Sequence, residues 1–220
     1  MLRADYRDDS RGGRPALVPT SSCEMLLHQF TARKRAYYEA QFAPGSYSAR
    51  NRRDSMAVFF TSDTHFGHGG ALGLYARPFA SVAAMNEGLV ERWNETVGSD
   101  DVVWHLGDFA IRQRPAVVAD LLARLNGHKH LVAGNNDPPA TRELAGWASV
   151  QSYLEIEADG VWLVLCHYPF RSWRGMAKGW VNLHGHSHGR LRPLPRQFDV
   201  GVDVWGFRPV TLGQILHSRR

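Results

Sequence analysis

The run Asn182-Leu183-His184-Gly185-His186-Ser187-His188-Gly189 carries three histidines at every second position, with Gly185 and Ser187 between them. Alternate side chains of an extended segment point to one side, so if this run leaves a strand the imidazoles of His186 and His188 can converge on one point and bind a metal. A polar histidine-rich turn is the plainer alternative. Against it stand Asp63-Thr64-His65, Gly107-Asp108, Gly134-Asn135-Asn136-Asp137 and the single His167, each placed after a short apolar run.

The elements that must position these groups are legible as short runs. Residues 57–61 are continuously apolar apart from the final threonine, as in a strand buried on both faces, and residues 62–70 form the loop at its end. Ser81 can cap a helix reaching residue 97, with Val82, Met85, Leu89, Val90 and Trp93 on its apolar side. Residues 101–106 form a second strand that leads into Asp108. Residues 115–125 form a helix with Pro115 at its start and Gly127 past its end. A third strand, 128–133, delivers residues 134–137, and a further helix covers 140–145. Repetition of strand, loop and helix argues for an α/β layered core with loops gathered at the strand ends. After residue 148 the rhythm changes. Strands at 150–157 and 161–166 flank the hairpin signal Ala158-Asp159-Gly160, and His167 leaves the second of them. Strands at 181–184 and 198–204 follow, then a short closing helix at 211–217. The second half therefore reads as antiparallel, and two sheets packed face to face with helices outside accommodate both halves.

A chain of 220 residues with 44% hydrophobic content makes one domain of ordinary size. Its formal charge of +5 would suggest a nucleic-acid binder, but the excess is local. Residues 1–55 hold ten Lys/Arg against six Asp/Glu, which leaves sixteen against fifteen in 56–220. The body is nearly neutral, so electrostatics makes no strong case for a nucleic-acid partner. The two cysteines, Cys23 and Cys166, cannot build a disulfide framework, and Cys166 ends an apolar run where a small buried residue fits. No apolar run is long enough for a membrane span and no signal pattern opens the chain, so a cytoplasmic location and no membrane partner are the expectation. Residues 1–19 read as disordered, 24–42 as a possible helix, and Met56, directly before the first strand, as a possible natural start.

In order, the Asp-x-His, Gly-Asp, Gly-Asn-x-Asp, lone His and Gly-His-x-His motifs resemble the calcineurin-like metallophosphoesterase superfamily, over residues 57 to about 210. The resemblance implies a four-layer α-β-β-α sandwich of two mixed sheets flanked by helices for 56–220, with 1–55 as an extension outside it. It further implies two divalent cations. Asp63, His65, Asp108 and His188 would hold one, and Asp108, Asn135, His167 and His186 the other, with Asp108 bridging. Mixed nitrogen and oxygen ligands without thiolate favour Mn2+ first, with Fe or Zn2+ as alternatives, over all-oxygen Mg2+ or Ca2+ sites. Cations about 3.5–4 Å apart clamp a phosphoryl group and activate a shared water, making a bridging hydroxide the expected nucleophile. The expected activity is a phosphodiesterase or phosphatase, acting on a small phosphodiester or nucleotide-like substrate. A degenerate member serving as a binding scaffold is the rival, and nothing in the chain speaks to oligomeric state. One position departs from the pattern: the third motif of the family usually reads Gly-Asn-His-Asp, and here Asn136 replaces its histidine, which is thought to act near the leaving group. Asparagine donates hydrogen bonds but transfers no proton at neutral pH.

Other polar residues admit two readings each. His68 faces the phosphate as donor or acid, or is a surface loop histidine. Arg77 and Arg112 are candidate substrate clamps, or ordinary structural or surface arginines. His105, inside an apolar strand, reads as a satisfied core histidine, and His184 as support for the ligands around it. Trp173 and Trp180 either stack on a base or sugar or cover the sheet. Gly107, Gly134 and Gly185 fit sharp turns beside the ligands.

Overall fold

The structure is a computed structural model that describes residues 56–218. The helix expected at 24–42 and the disorder expected before it lie outside the described residues.

Among the described residues nine strands form two sheets. The first contains β1 (Val58–Thr61), β2 (Val102–His105), β3 (His128–Val132), β4 (Ser149–Gln151) and β9 (Val210–Thr211) in the order β4-β3-β2-β1-β9. Its first four strands are parallel and β9 is antiparallel. The second contains β5 (Leu154–Ala158), β6 (Val161–Leu165), β7 (Val181–His184) and β8 (Gln197–Asp199) in that order. Among the described residues five helices accompany the sheets: α1 (Gly70–Leu74), α2 (Val82–Thr96), α3 (Pro115–Arg124), α4 (Pro139–Arg142) and α5 (Leu212–His217).

The alternation of side chains along the strands builds two cores. Phe59, Val103 and Leu131 point to one face of the first sheet, where Met85, Leu89 and Trp93 of α2 and Val118, Leu121 and Leu122 of α3 meet them. Phe60 and Val132 point to the other face and pack against Leu163, Leu165, Val181 and Leu183 of the second sheet. Each such side chain contributes about 1.5–3 kcal/mol when fully buried, and the strands of the first sheet are covered on both sides. Ser81 caps α2 as its residue type suggests, its hydroxyl accepting from the Ala84 N–H at 3.1 Å. Thr211 and Gln214 close a capping box on α5.

Two mixed sheets with helices match the expected fold class, and three details differ. The strand read at 150–157 is two strands, because β4 joins the first sheet beside β3 while β5 begins the second. Within the second sheet only the β5-β6 hairpin is antiparallel; β6, β7 and β8 run parallel. The crossover from β6 to β7 contains a 3-10 turn (Met176–Lys178) in place of a long helix, which left no helical period to signal a parallel connection. The strand expected at 198–204 ends at Asp199. The segment after β6 lies over the outward face of the second sheet: Trp173 is buried with its indole N–H on the Trp180 carbonyl at 3.0 Å, and Trp180 stacks on Trp162 of β6 at 4.7 Å. The two tryptophans are sheet cover, and the base-stacking reading is set aside.

Parallel register brings the loops together. Thr61 is paired with His105, and His105 with Leu131, so the segments after β1, β2 and β3 leave the sheet along one edge. The segment after β6 and the one after β7 meet there through the Gly185 N–H on the His167 carbonyl at 3.0 Å.

Candidate metal centre

Asp63, His65, Asp108, His167 and His188 converge at that edge. Nε2 of His65 lies 3.7 Å from Asp63 Oδ1 and 3.5 Å from Asp108 Oδ2. His188 Nε2 lies 3.8 Å from Asp63 Oδ1, and His167 Nε2 lies 3.6 Å from Asp108 Oδ1. Asp63, His65 and His188 form one group able to hold a metal, and Asp63, Asp108 and His167 a second. Asn135 Oδ1 stands 3.1 Å from His167 Nε2, and the His186 ring is 5.1 Å from that of His167. All seven predicted ligands are thus gathered at one place.

Hydrogen bonding on the outer side of the rings decides what faces inward. His167 Nδ1 is 2.7 Å from the Leu106 carbonyl, which can only accept, so Nδ1 carries a proton and Nε2 is the nitrogen turned to the site. Asn135 Oδ1 faces that nitrogen at 3.1 Å, and the two atoms together are a nitrogen and an oxygen ligand able to share a cation. His188 repeats the arrangement, with Nδ1 donating to Asp203 Oδ2 at 2.8 Å. Asp63 Oδ1 and His65 Nε2 are buried without a hydrogen-bond partner among the described residues, a costly state for polar atoms unless another group completes it. The donor set fits divalent metal.

The backbone here is unusual. Asp63, His65, Asp108, His186 and His188 all have positive φ, between 48° and 66°. Non-glycine residues adopt this left-handed region rarely and at a cost of order 1–3 kcal/mol each. Five of them among seven predicted ligands mark a site where geometry is held against local preference. Asp137 supplies part of the hold: its carboxylate accepts from the N–H groups of Asp108 and Gly134 at 2.8 Å and Phe109 at 2.9 Å, tying two ligand loops together. Gly185 supplies another, because a Cβ there would meet the Ser62 side chain and stand 2.5 Å from Asp63 Oδ2.

The charges polarise one another. Burial raises the Asp108 carboxyl, yet His65, His167 and Asn136 outweigh it and hold the group well below the usual carboxylate range. Asp63 is likewise raised by burial and brought below its ordinary value by His65, His188 and His167. Burial lowers His65, but Asp108 and Asp63 prevail and favour its protonated form. A ring that attracts a proton between two carboxylates offers a position for a metal instead. His186 is lowered, by burial and then by the His167 ring.

The remaining candidates separate. Asn136 donates to both oxygens of Asp108. His68 is half-buried with Nδ1 3.1 Å from Nδ1 of His65, so it contacts a predicted ligand directly. Arg112 is exposed, with φ 52°, and its charge helps lower His68 after burial, His65 and Arg77. Arg77 is a correction. It is buried, and its guanidinium is used up by Asp203, by the Asp63 and Thr64 carbonyls and by the Met85 sulfur, which leaves no donor for a substrate. His105 is a buried core histidine, bonded to the Thr64 hydroxyl at 3.0 Å. His184 is buried with Nδ1 2.8 Å from the Gly185 carbonyl, bracing the turn before His186. Asp203 and Tyr75 went unrecognised in the sequence. Tyr75 stacks on His188 with ring centroids 3.5 Å apart; Asp203 sits at the end of an apolar run, where one carboxylate carries little signal. Among the described residues no helix is long and apolar enough to cross a membrane.

A family model described as the calcineurin-like phosphoesterase superfamily domain matches residues 56–198. An uncharacterized protein of Methanocaldococcus jannaschii, MJ1445, is 31% identical over 167 residues, covering 72% of this chain and 89% of its own. The gene 66 protein of Mycobacterium phage D29 is 34% identical over 179 residues, covering 67% of this chain and 88% of its own. Among solved structures, the Aquifex aeolicus protein AQ665 shares the fold with a TM-score of 0.61 at 21% identity, covering 73% of this chain and 97% of its own. With the ligand motifs assembled at one sheet edge and the family match spanning most of the chain, this protein belongs to the calcineurin-like phosphoesterase superfamily.

Proposed function

We propose that this chain is a hydrolase of small phosphodiester or nucleotide-like substrates that works with two divalent cations, Mn2+ first among them. The observation that carries the reading is the inward-facing Nε2 atoms of His167 and His188 beside the orphaned Asp63 Oδ1 and His65 Nε2. Asp63, His65, Asp108 and His188 would hold one cation, and Asp108, Asn135, His167 and His186 the other. Bound there, the cations supply Lewis-acid charge to a phosphoryl oxygen and lower the pKa of a bound water.

The chain's own groups do the rest. The carboxylates of Asp63 and Asp108 bring negative charge, while neutral imidazoles and the Asn135 carboxamide add ligands without cancelling the cationic field. Asn136 holds Asp108 from one side and leaves the bridging position no freedom to turn. His68, half-buried beside His65, and Arg112, exposed after the Asp108 loop, are the groups proposed to meet phosphoryl oxygens. Exposed Tyr168 lies edge-on to His186 at 4.8 Å and is the aromatic surface proposed to meet an organic substituent of a diester.

The test is hydrolysis of bis-p-nitrophenyl phosphate and p-nitrophenyl phosphate by metal-free protein and after addition of Mn2+, Fe2+ or Zn2+. Metal-stimulated turnover, faster on the diester, is expected. Absence of metal-stimulated turnover on either ester overturns the enzyme reading in favour of a scaffold.

A further inference from the structure

Arg77 and Asp203 form a buried pair that touches both halves of one cation position without belonging to it. Arg77 Nε and Nη2 meet Asp203 Oδ1 and Oδ2 at 2.9 and 2.8 Å, a two-pronged contact that only the planar fork of arginine provides. The same guanidinium donates to the Thr64 and Asp63 carbonyls, each at 2.7 Å. These carbonyls belong to the left-handed turn between Asp63, with φ 57°, and His65, with φ 51°. On its other side Asp203 Oδ2 accepts from His188 Nδ1 at 2.8 Å.

We infer that the Arg77–Asp203 pair is the positioning device for the cation held by Asp63, His65 and His188. It fixes His188 in the tautomer whose Nε2 faces inward, and it clamps the first ligand loop in its strained turn. The pair also explains how one ligand set drawn from positions 125 residues apart in the chain, Asp63 and His188, comes to one register: Arg77 reaches one and Asp203 the other. Partners that orient a ligating histidine from outside are worth about 10–100-fold in metal affinity. In the other position, built on Asn135, His167 and His186, the ring of His167 takes its orientation from the Leu106 carbonyl and not from this pair. The inference rests on the proposed two-metal reading.

The experiment titrates Mn2+ into the metal-free full chain, native and with Asp203→Asn or Arg77→Lys, and reads affinity and stoichiometry by calorimetry. The native chain should bind two ions, and each variant should lose about 10–100-fold at one position while the other is unchanged. A native chain that binds no divalent ion defeats the metal reading itself. Two ions bound by native and variant with equal affinity leave that reading standing and overturn the positioning role. Should either variant fail to fold, nitrogen NMR of the native chain decides, metal-free and with Zn2+. A His188 ring protonated at Nδ1 in both states supports the inference, and protonation at Nε2 in the metal-free state contradicts it.

Discussion

Asn136 grips Asp108 twice, its backbone N–H on Oδ1 at 2.8 Å and its side-chain Nδ2 on Oδ2 at 2.6 Å. The residue that stands where the superfamily pattern has a histidine is therefore bound to the carboxylate proposed to bridge both cations. It can steady that group but cannot give a leaving group its proton.

The first prediction follows. General acid catalysis contributes about 10²–10⁴-fold, most of it needed by poor leaving groups. The native chain should hydrolyse p-nitrophenyl esters far better than alkyl esters, and Asn136→His should narrow the gap. His68 is close enough to substitute, so His68→Ala belongs in the series. A steepening of the dependence on leaving-group pKa in that variant alone would make His68 the acid; three equally shallow slopes would remove both residues from proton transfer.

What the sequence disclosed and what it withheld have physical reasons. Short apolar runs betrayed β1, β2 and β3 because a parallel strand covered on both faces has no polar side to interrupt it. Ligand types at strand ends then pointed to the edge where they meet. Strand partners were harder: 150–157 reads as one run, yet β4 and β5 serve different sheets, and no local pattern encodes which neighbour a strand will choose. Arg77 before Pro78 and Phe79 looks like a surface clamp, and only the fold brings Asp203, 126 positions later, to occupy it. Positive φ at Asp63, His65 and Asp108 is likewise imposed by tertiary contacts, because Asp and His tolerate the left-handed region better than most residues but still adopt it in only a minority of positions.

Gly185 gives a test of packing. A methyl group at this position would collide with the Ser62 side chain and come within 2.5 Å of Asp63 Oδ2, so the loop must shift and take His186 with it. Overpacking of this kind costs about 1–3 kcal/mol. Gly185→Ala is expected to lower the melting temperature and to weaken metal binding together; unchanged metal affinity would show that the loop tolerates the shift.

His105 sets an acid limit on stability. Burial pushes its imidazole down from an ordinary value of 6.5 to about 3, so the folded chain keeps it neutral while the unfolded chain protonates it. The unfolded state then binds the extra proton between these two values, and stability must fall as pH drops through that window by up to about 1.4 kcal/mol per unit. His105→Gln can still donate to the Thr64 hydroxyl and carries no such proton. Denaturant unfolding from pH 7 to pH 4 should show a flatter decline in the variant; parallel curves would refute the assignment.

Residues 1–55 lie before the family match, and the described cores draw on residues from 57 onward. A chain of residues 56–220 is expected to keep metal content and turnover within about twofold, a change of less than 0.5 kcal/mol. Loss of either would assign the segment a structural task.

The central claim concerns Asp108, which lies 3.5 Å from His65 Nε2 on one side and 3.6 Å from His167 Nε2 on the other. Metal content per chain, measured on native protein and on Asp108→Asn after identical loading with Mn2+ and set beside diester turnover, addresses it most directly. Two ions and turnover in the native chain, with both lost in the variant, are the predicted result. Two ions and full activity retained by Asp108→Asn would contradict the bridging role and the two-metal account with it.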